Sequence, residues 1–150
     1  MCDVYFIDTS VLLNILAVPQ KSQNRTAVMT QLNAYVDNRS VLILPMAAII
    51  ETGNHIAHIG DGHLRRSIAQ KMSELIEKTV HGEVPWGYDK GELDSSELEK
   101  LARQFPDAAM REVGLGDLSI IAACERYRER NGEYVQVHIW SLDKHLQAYG

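Results

Sequence analysis

Four acidic residues stand where acids are unusual. Asp8 ends the run Val4-Tyr5-Phe6-Ile7 and is followed by two hydroxyls, Thr9 and Ser10. Glu51 follows Pro45 by six residues in a stretch of helical period, Met46 to His58. Asp117 sits among Leu115, Leu118, Ile120 and Ile121, the most apolar helical pattern of the chain. Asp143 closes Ser141-Leu142-Asp143, directly after Val135–Trp140. A carboxylate in such surroundings is costly unless it is paired, caps a helix or binds a cation. Gathered together, four carboxylates and the hydroxyls of Ser10 and Ser141 would make an all-oxygen site, the donor set preferred by Mg²⁺ or Mn²⁺. Each acid alone has a plainer reading. Asp8, Thr9 or Ser10 caps the next helix, Glu51 faces solvent, and Asp117 is an N-cap or first-turn acid favoured by the helix dipole.

The elements that would position these residues follow from the hydrophobic pattern. Val4–Ile7, Val41–Leu44 and Val135–Trp140 are continuous apolar or alternating runs of strand length. Val84-Pro85-Trp86 is a fourth candidate, placed at a sheet edge by its proline. Helical periods cover Ser10–Leu16, ending near Pro19, then Lys21–Val36, Met46–His58 and His63–Thr79. Asp94-Ser95-Ser96-Glu97 has the form of a capping box and opens a helix through Phe105, which Pro106 ends. A loop through Gly114 and Gly116 leads to Asp117 and a helix from Leu118 to about Arg130.

Strands alternating with helices predict a three-layer α/β/α fold around a mainly parallel sheet of about four to five strands. Parallel strands end at one edge of the sheet, so Asp8 and Asp143 are expected to approach each other despite lying near opposite ends of the chain. The 150 residues, 45% hydrophobic and 23% charged, fit a single domain over 1–150. No repeat or linker interrupts it.

The net charge of −5 argues against a generic nucleic-acid-binding module, which carries a broad basic footprint. It does not exclude a nuclease whose bound cations supply positive charge. Cys2 and Cys124 have no zinc or redox spacing, and Cys124 reads as a buried, reduced thiol. With no basic leader and Asp3 interrupting any N-terminal apolar stretch, a cytoplasmic location is expected.

The ordered set resembles the PIN-domain family: an apolar strand with Asp8-Thr9-Ser10, then Pro45 and Glu51, then Gly116-Asp117-Leu118-Ser119-Ile120-Ile121-Ala122-Ala123, then Ser141-Leu142-Asp143. The likeness spans nearly the whole chain. It implies a Mg²⁺- or Mn²⁺-dependent endoribonuclease with Asp8, Glu51, Asp117 and Asp143 as catalytic, metal-binding acids and Ser10 and Ser141 in support. Small single-domain members similar to VapC-type toxins pair with an antitoxin protein, and a homodimer is a further implied partner. Such an antitoxin would need an exposed apolar groove on the helices near Val11–Ala34.

The chain departs from the family's plainest form in the long irregular stretch 80–116, with Trp86, Tyr88 and an acidic run from Asp89 to Glu99. Trp86 and Tyr88 read as core or interface residues, with stacking on bases as the alternative. Other readings of the whole remain. One is a PIN-like scaffold that binds RNA or protein without cutting. Another is a haloacid-dehalogenase-type phosphatase with Asp8 as nucleophile, although the acid wanted two positions later is Ser10. Glu51, His55 and His58 share a helix face that could take Zn²⁺ or Ni²⁺, but surface histidines are the plainer reading.

Overall fold

A computed structural model describes residues 2–91 and 93–149. Among these, four strands form one parallel sheet in the order β3-β2-β1-β4, comprising β1 (Cys2–Ile7), β2 (Val41–Pro45), β3 (Gly87–Asp89) and β4 (Val135–Trp140). Seven α-helices accompany it: α1 (Thr9–Ile15), α2 (Arg25–Asp37), α3 (Met46–Ala57), α4 (Gly62–Val80), α5 (Ser95–Met110), α6 (Leu115–Asn131) and α7 (Lys144–Gln147). The fold is mixed α/β, as the alternation of patterns predicts.

Adjacent side chains on β1 leave opposite faces of the sheet. Tyr5 stacks on Tyr35 of α2 with ring centroids 3.9 Å apart. Phe6 meets Tyr127 of α6 edge-on at 5.8 Å. Both faces of the central strand are therefore covered, and this is why its sequence is a continuous apolar run rather than an alternating one. Val4, Phe6 and Ile7 are all fully buried.

The register pairs Val4 with Val41 and with Val137, so β1, β2 and β4 end together. The chain moves outward from β1 to β2 to β3, then returns across the sheet to place β4 on the other side of β1. Strand order thus reverses between β1 and β4. In open α/β sheets a crevice forms outside the carboxyl ends at such a point, and ligands bind there.

Several local expectations need correction. The fourth strand lies at Gly87–Asp89, not at Val84–Trp86. Pro85 has no N–H to give a ladder, and Trp86 turns into the core, where its Nε1 donates to Thr79 Oγ1 at 3.0 Å. Helix α2 starts at Arg25 instead of Lys21, because the Asn24 N–H is taken by Asn14 Oδ1 at 3.0 Å. Helix α5 runs through Pro106 to Met110. The carbonyl that Pro106 leaves unbonded belongs to exposed Ala102, where water can serve it, while buried Ala108 holds the turn beyond. Helix α6 begins at Leu115 with Gly114 as its N-cap, so Gly116 is helical rather than part of a loop.

Cys124 is buried and free, and burial pushes its thiol up to about 12, so it stays protonated. Of the acidic run 89–99, Glu92 lies outside the described residues. Among the described residues no helix is long and apolar enough to cross a membrane.

Candidate active site

Asp8 occupies the residue after β1, and its backbone N–H donates to Trp140 O at 3.0 Å, extending the β1–β4 pairing by one step. Its side chain caps α1: Oδ2 accepts from the Ser10 N–H at 3.3 Å. The same oxygen accepts from Ser10 Oγ and from Ser141 Oγ, each at 2.8 Å. Neither Thr9 nor Ser10 is the cap, contrary to one expectation. The other oxygen, Oδ1, has no hydrogen-bond partner within the protein although Asp8 is only 3% exposed. Capping and both hydroxyl contacts therefore fall on one oxygen of the carboxylate and leave the other unbonded within the protein.

The hydroxyl pair is itself fixed. Ser10 Oγ accepts from the Leu142 N–H at 3.0 Å, and Ser141 Oγ accepts from the Asp143 N–H at 2.9 Å. The ends of β1 and β4 are thus laced by side chains past the last ladder bond. Asp143 follows at once, capping α7 through Oδ1, which accepts from the His145 N–H at 2.9 Å. Asp143 remains exposed.

Glu51 lies in the second turn of α3, which leaves the carboxyl end of β2 directly through Pro45. It is partly buried, not solvent-facing, and Oε2 accepts from Thr9 Oγ1 at 3.0 Å. Its carboxylate rests against Gly116: a Cβ built there would overlap Oε1 and stand 2.7 Å from Cδ. Asp117, the next residue, is the third of α6, with its carboxylate beside the Gly114 backbone.

Burial pushes the Asp117 carboxyl up to about 6. Asp8, Glu51 and Asp143 add to the rise through charge repulsion, in decreasing order, and the Gly114 hydrogen bond opposes it. That repulsion registers all four acids as electrostatic neighbours. A group whose folded pKa lies above its unfolded value of 3.8 binds more protons folded than unfolded between those two pH values. Stability then falls as pH rises through that window, and the whole cost is present above it. Asp117→Asn is expected to melt higher than the parent above about pH 6 in EDTA and to converge with it below about pH 4. Equal melting temperatures across that range would show that Asp117 is not held above its ordinary value by burial and its acidic neighbours.

The residue types suit a hard divalent cation: all donors are oxygens, and Asp8 Oδ1 is unsatisfied and buried. Among the described residues no three His, Cys, Asp or Glu side chains stand close enough to enclose one ion as placed. Holding one would require side-chain rotation, for which exposed Asp143 has room. The alternative face of Glu51, His55 and His58 does not assemble. Thr9 holds Glu51, His55 is exposed, and His58 Nδ1 lies 2.7 Å from Asn54 O.

Two contributors have no clear mark in the sequence. Thr9 reads as a helix cap but acts as a support for Glu51. Gly116 reads as a loop residue, yet its missing side chain is the space the Glu51 carboxylate fills. Tyr88 is 38% exposed, whereas Trp86 belongs to the core. No protein-family model and no curated protein matches the chain.

Proposed function

We propose that the chain is a Mg²⁺- or Mn²⁺-dependent endoribonuclease, a hydrolase of RNA phosphodiester bonds, acting through Asp8, Glu51, Asp117 and Asp143. The observation that carries this reading is the buried, unpartnered Oδ1 of Asp8 at the strand-order reversal, beside Asp117, whose carboxyl is repelled by Asp8, Glu51 and Asp143. A bound divalent cation would supply an activated water at neutral pH and charge neutralisation for the phosphate. The protein's part is orientation. Ser10 and Ser141 hold Asp8 by Oδ2 and leave Oδ1 free to ligate. Thr9 fixes Glu51, and the start of α6 fixes Asp117. Rigid support of this kind keeps carboxylates at productive angles.

The resemblance to the PIN-domain family supports the same chemistry. A toxin role in the cytoplasm, with an antitoxin partner and a homodimer, rests on that resemblance alone. The apolar groove expected for an antitoxin near Val11–Ala34 is not open: Val11, Leu12, Val28 and Leu32 are buried there. The deciding experiment incubates the purified chain with RNA in Mg²⁺, in Mn²⁺ and in EDTA. Cleavage with either metal and none in EDTA is the expected result. Cleavage that persists in EDTA, or RNA left intact in both metals, overturns the proposal. Neutralisation by the product of an adjacent reading frame tests the toxin role separately.

A further inference from the structure

The surface depression beside Glu51 continues well beyond the carboxylates. Its first stretch has Ile50, Leu98 and Leu115 in its walls, 56%, 58% and 50% exposed, with Gly116 and Ser119 in its floor. A second depression shares Ile50, Leu93 and Ser119 with the first and passes Lys90 and Arg126. A third shares Lys90 and Arg126 with the second and ends at Tyr88, Tyr127 and Arg130. The three lie in series along one trough-like face, each sharing lining residues with the next.

Helix α6 forms its floor throughout. Gly116, Ser119, Ala123, Arg126 and Arg130 recur at alternating spacings of three and four residues, which places them on one helix face. The rise of the helix puts Arg126 about 15 Å and Arg130 about 21 Å from Gly116. Charge is graded along the same line. Acids stand at the Glu51 end, the middle is apolar, and Lys90, Arg126 and Arg130 gather at the far end. Among the described residues Asp89 lines this stretch beside the cations, and Glu97, Glu125 and Glu129 share a neighbouring depression with Arg126. Glu97 lies 3.7 Å from Arg126, and Asp89 already accepts from the Gly91 N–H at 2.8 Å. Among the described residues that line the last two stretches, three cations face one acid, Asp89, in a chain of net charge −5.

We propose that this trough is a subsite for the RNA strand flanking the scissile bond, with Lys90, Arg126 and Arg130 on its phosphates and the apolar stretch and Tyr88 against its bases. The inference rests on the ribonuclease reading and adds to it the route of the substrate. The distance from Gly116 to the arginines matches about four to six stacked nucleotides at ~3.4 Å each. Exposed aliphatic walls and an aromatic ring accept bases of any sequence, and the cations at the far end would hold the backbone there. Phosphates would compete with Glu97 for Arg126.

The test is binding of a short fluorescent single-stranded RNA in EDTA, followed by anisotropy between about 50 and about 200 mM salt, a range in which phosphate binding is readily resolved. Asp8→Asn supplies the background, so no cleavage is needed. Lys90→Gln with Arg130→Gln, both at exposed positions, is expected to weaken binding about tenfold. It should also flatten the slope of log affinity against log salt by about 1.4, or ~0.7 for each phosphate no longer neutralised. Arg126→Gln should flatten it by about 0.7, though the Glu97 carboxylate it leaves alone makes the exposed pair the deciding variant. Unchanged affinity and slope in a double variant that melts like the parent overturn the proposal. Failure of the parent to bind RNA, or capture of an apolar peptide there instead, overturns it too. Binding with the expected slopes but no cleavage in Mn²⁺ would sink the nuclease reading and leave the trough standing. Cleavage with unaltered slopes would do the reverse.

Discussion

Asp8→Asn is expected to lower metal-dependent RNA cleavage at least about a hundredfold while changing stability by no more than about 1–2 kcal/mol. The two effects separate because the two oxygens of Asp8 have separate work. Ser10 Oγ, Ser141 Oγ and the Ser10 N–H all donate to Oδ2, and the two lone pairs of an asparagine carbonyl oxygen can accept from both hydroxyls, weakening only the longer Ser10 N–H contact. The amide nitrogen then takes the place of Oδ1, which bonds to nothing in the protein. What is removed is a charge and the buried, unpartnered carboxylate oxygen that the proposal assigns to a cation. The missing charge also relieves Asp117, which Asp8 repels more than any other residue does. Asp8→Ala is a harsher change, since it strips the acceptor from two hydroxyls and costs about 1–3 kcal/mol. Initial rates on a fluorescent RNA in Mn²⁺, with thermal melts of each variant, measure both effects. An Asp8→Asn chain that cuts as fast as the parent would remove the carboxylate cluster from consideration as the active site.

The second large effect is expected at Gly116. Alanine normally stabilises a helix over glycine, by about 1 kcal/mol in the interior and less in the first turn, where Gly116 lies. At Gly116 the added methyl would occupy the space of Glu51 Oε1, so the glutamate must swing out and give up Thr9 Oγ1. The expected outcome is a net destabilisation of about 1–3 kcal/mol, with a fall in cleavage of about 10–100-fold from the displaced acid. Gly53→Ala is the matched control. It too lies inside a helix, α3, but has open space around the position of a Cβ. It should stabilise by about 0.5–1 kcal/mol and leave cleavage unchanged. If both alanines behave alike in urea melts and in rate, Glu51 does not pack on α6 as described.

The central strands and the order of elements were readable because burial on both faces writes itself as unbroken apolar runs, as in Val4–Ile7 and Val41–Leu44. The acids were readable for a related reason, as each interrupts or ends such a run. The supports were harder to see. Nothing local distinguishes a Thr9 that caps from a Thr9 that reaches Glu51, since the partner is 42 residues away. Gly116 carries a purely negative signal, the absence of atoms where a distant carboxylate lies. Pro106 misled because its cost depends on which side of the helix faces water, and that is a tertiary property. The trough along α6 was hidden in the same way. Arg126 and Arg130 look like ordinary surface charges until Lys90 is brought beside them from the end of β3.

The split of the cluster between β1 and β4 has a bearing on how the molecule is made. Asp8 is translated well before Ser141 and Asp143, and the Asp8–Ser141 contact spans 133 residues. Contacts of such high sequence separation form late, and synthesis proceeds from the N-terminal side. Most of the hydrophobic core can therefore assemble before the fourth carboxylate arrives. A nascent chain would pass through that period without a complete set of acids, so the full density of negative charge is imposed only on a framework already largely built.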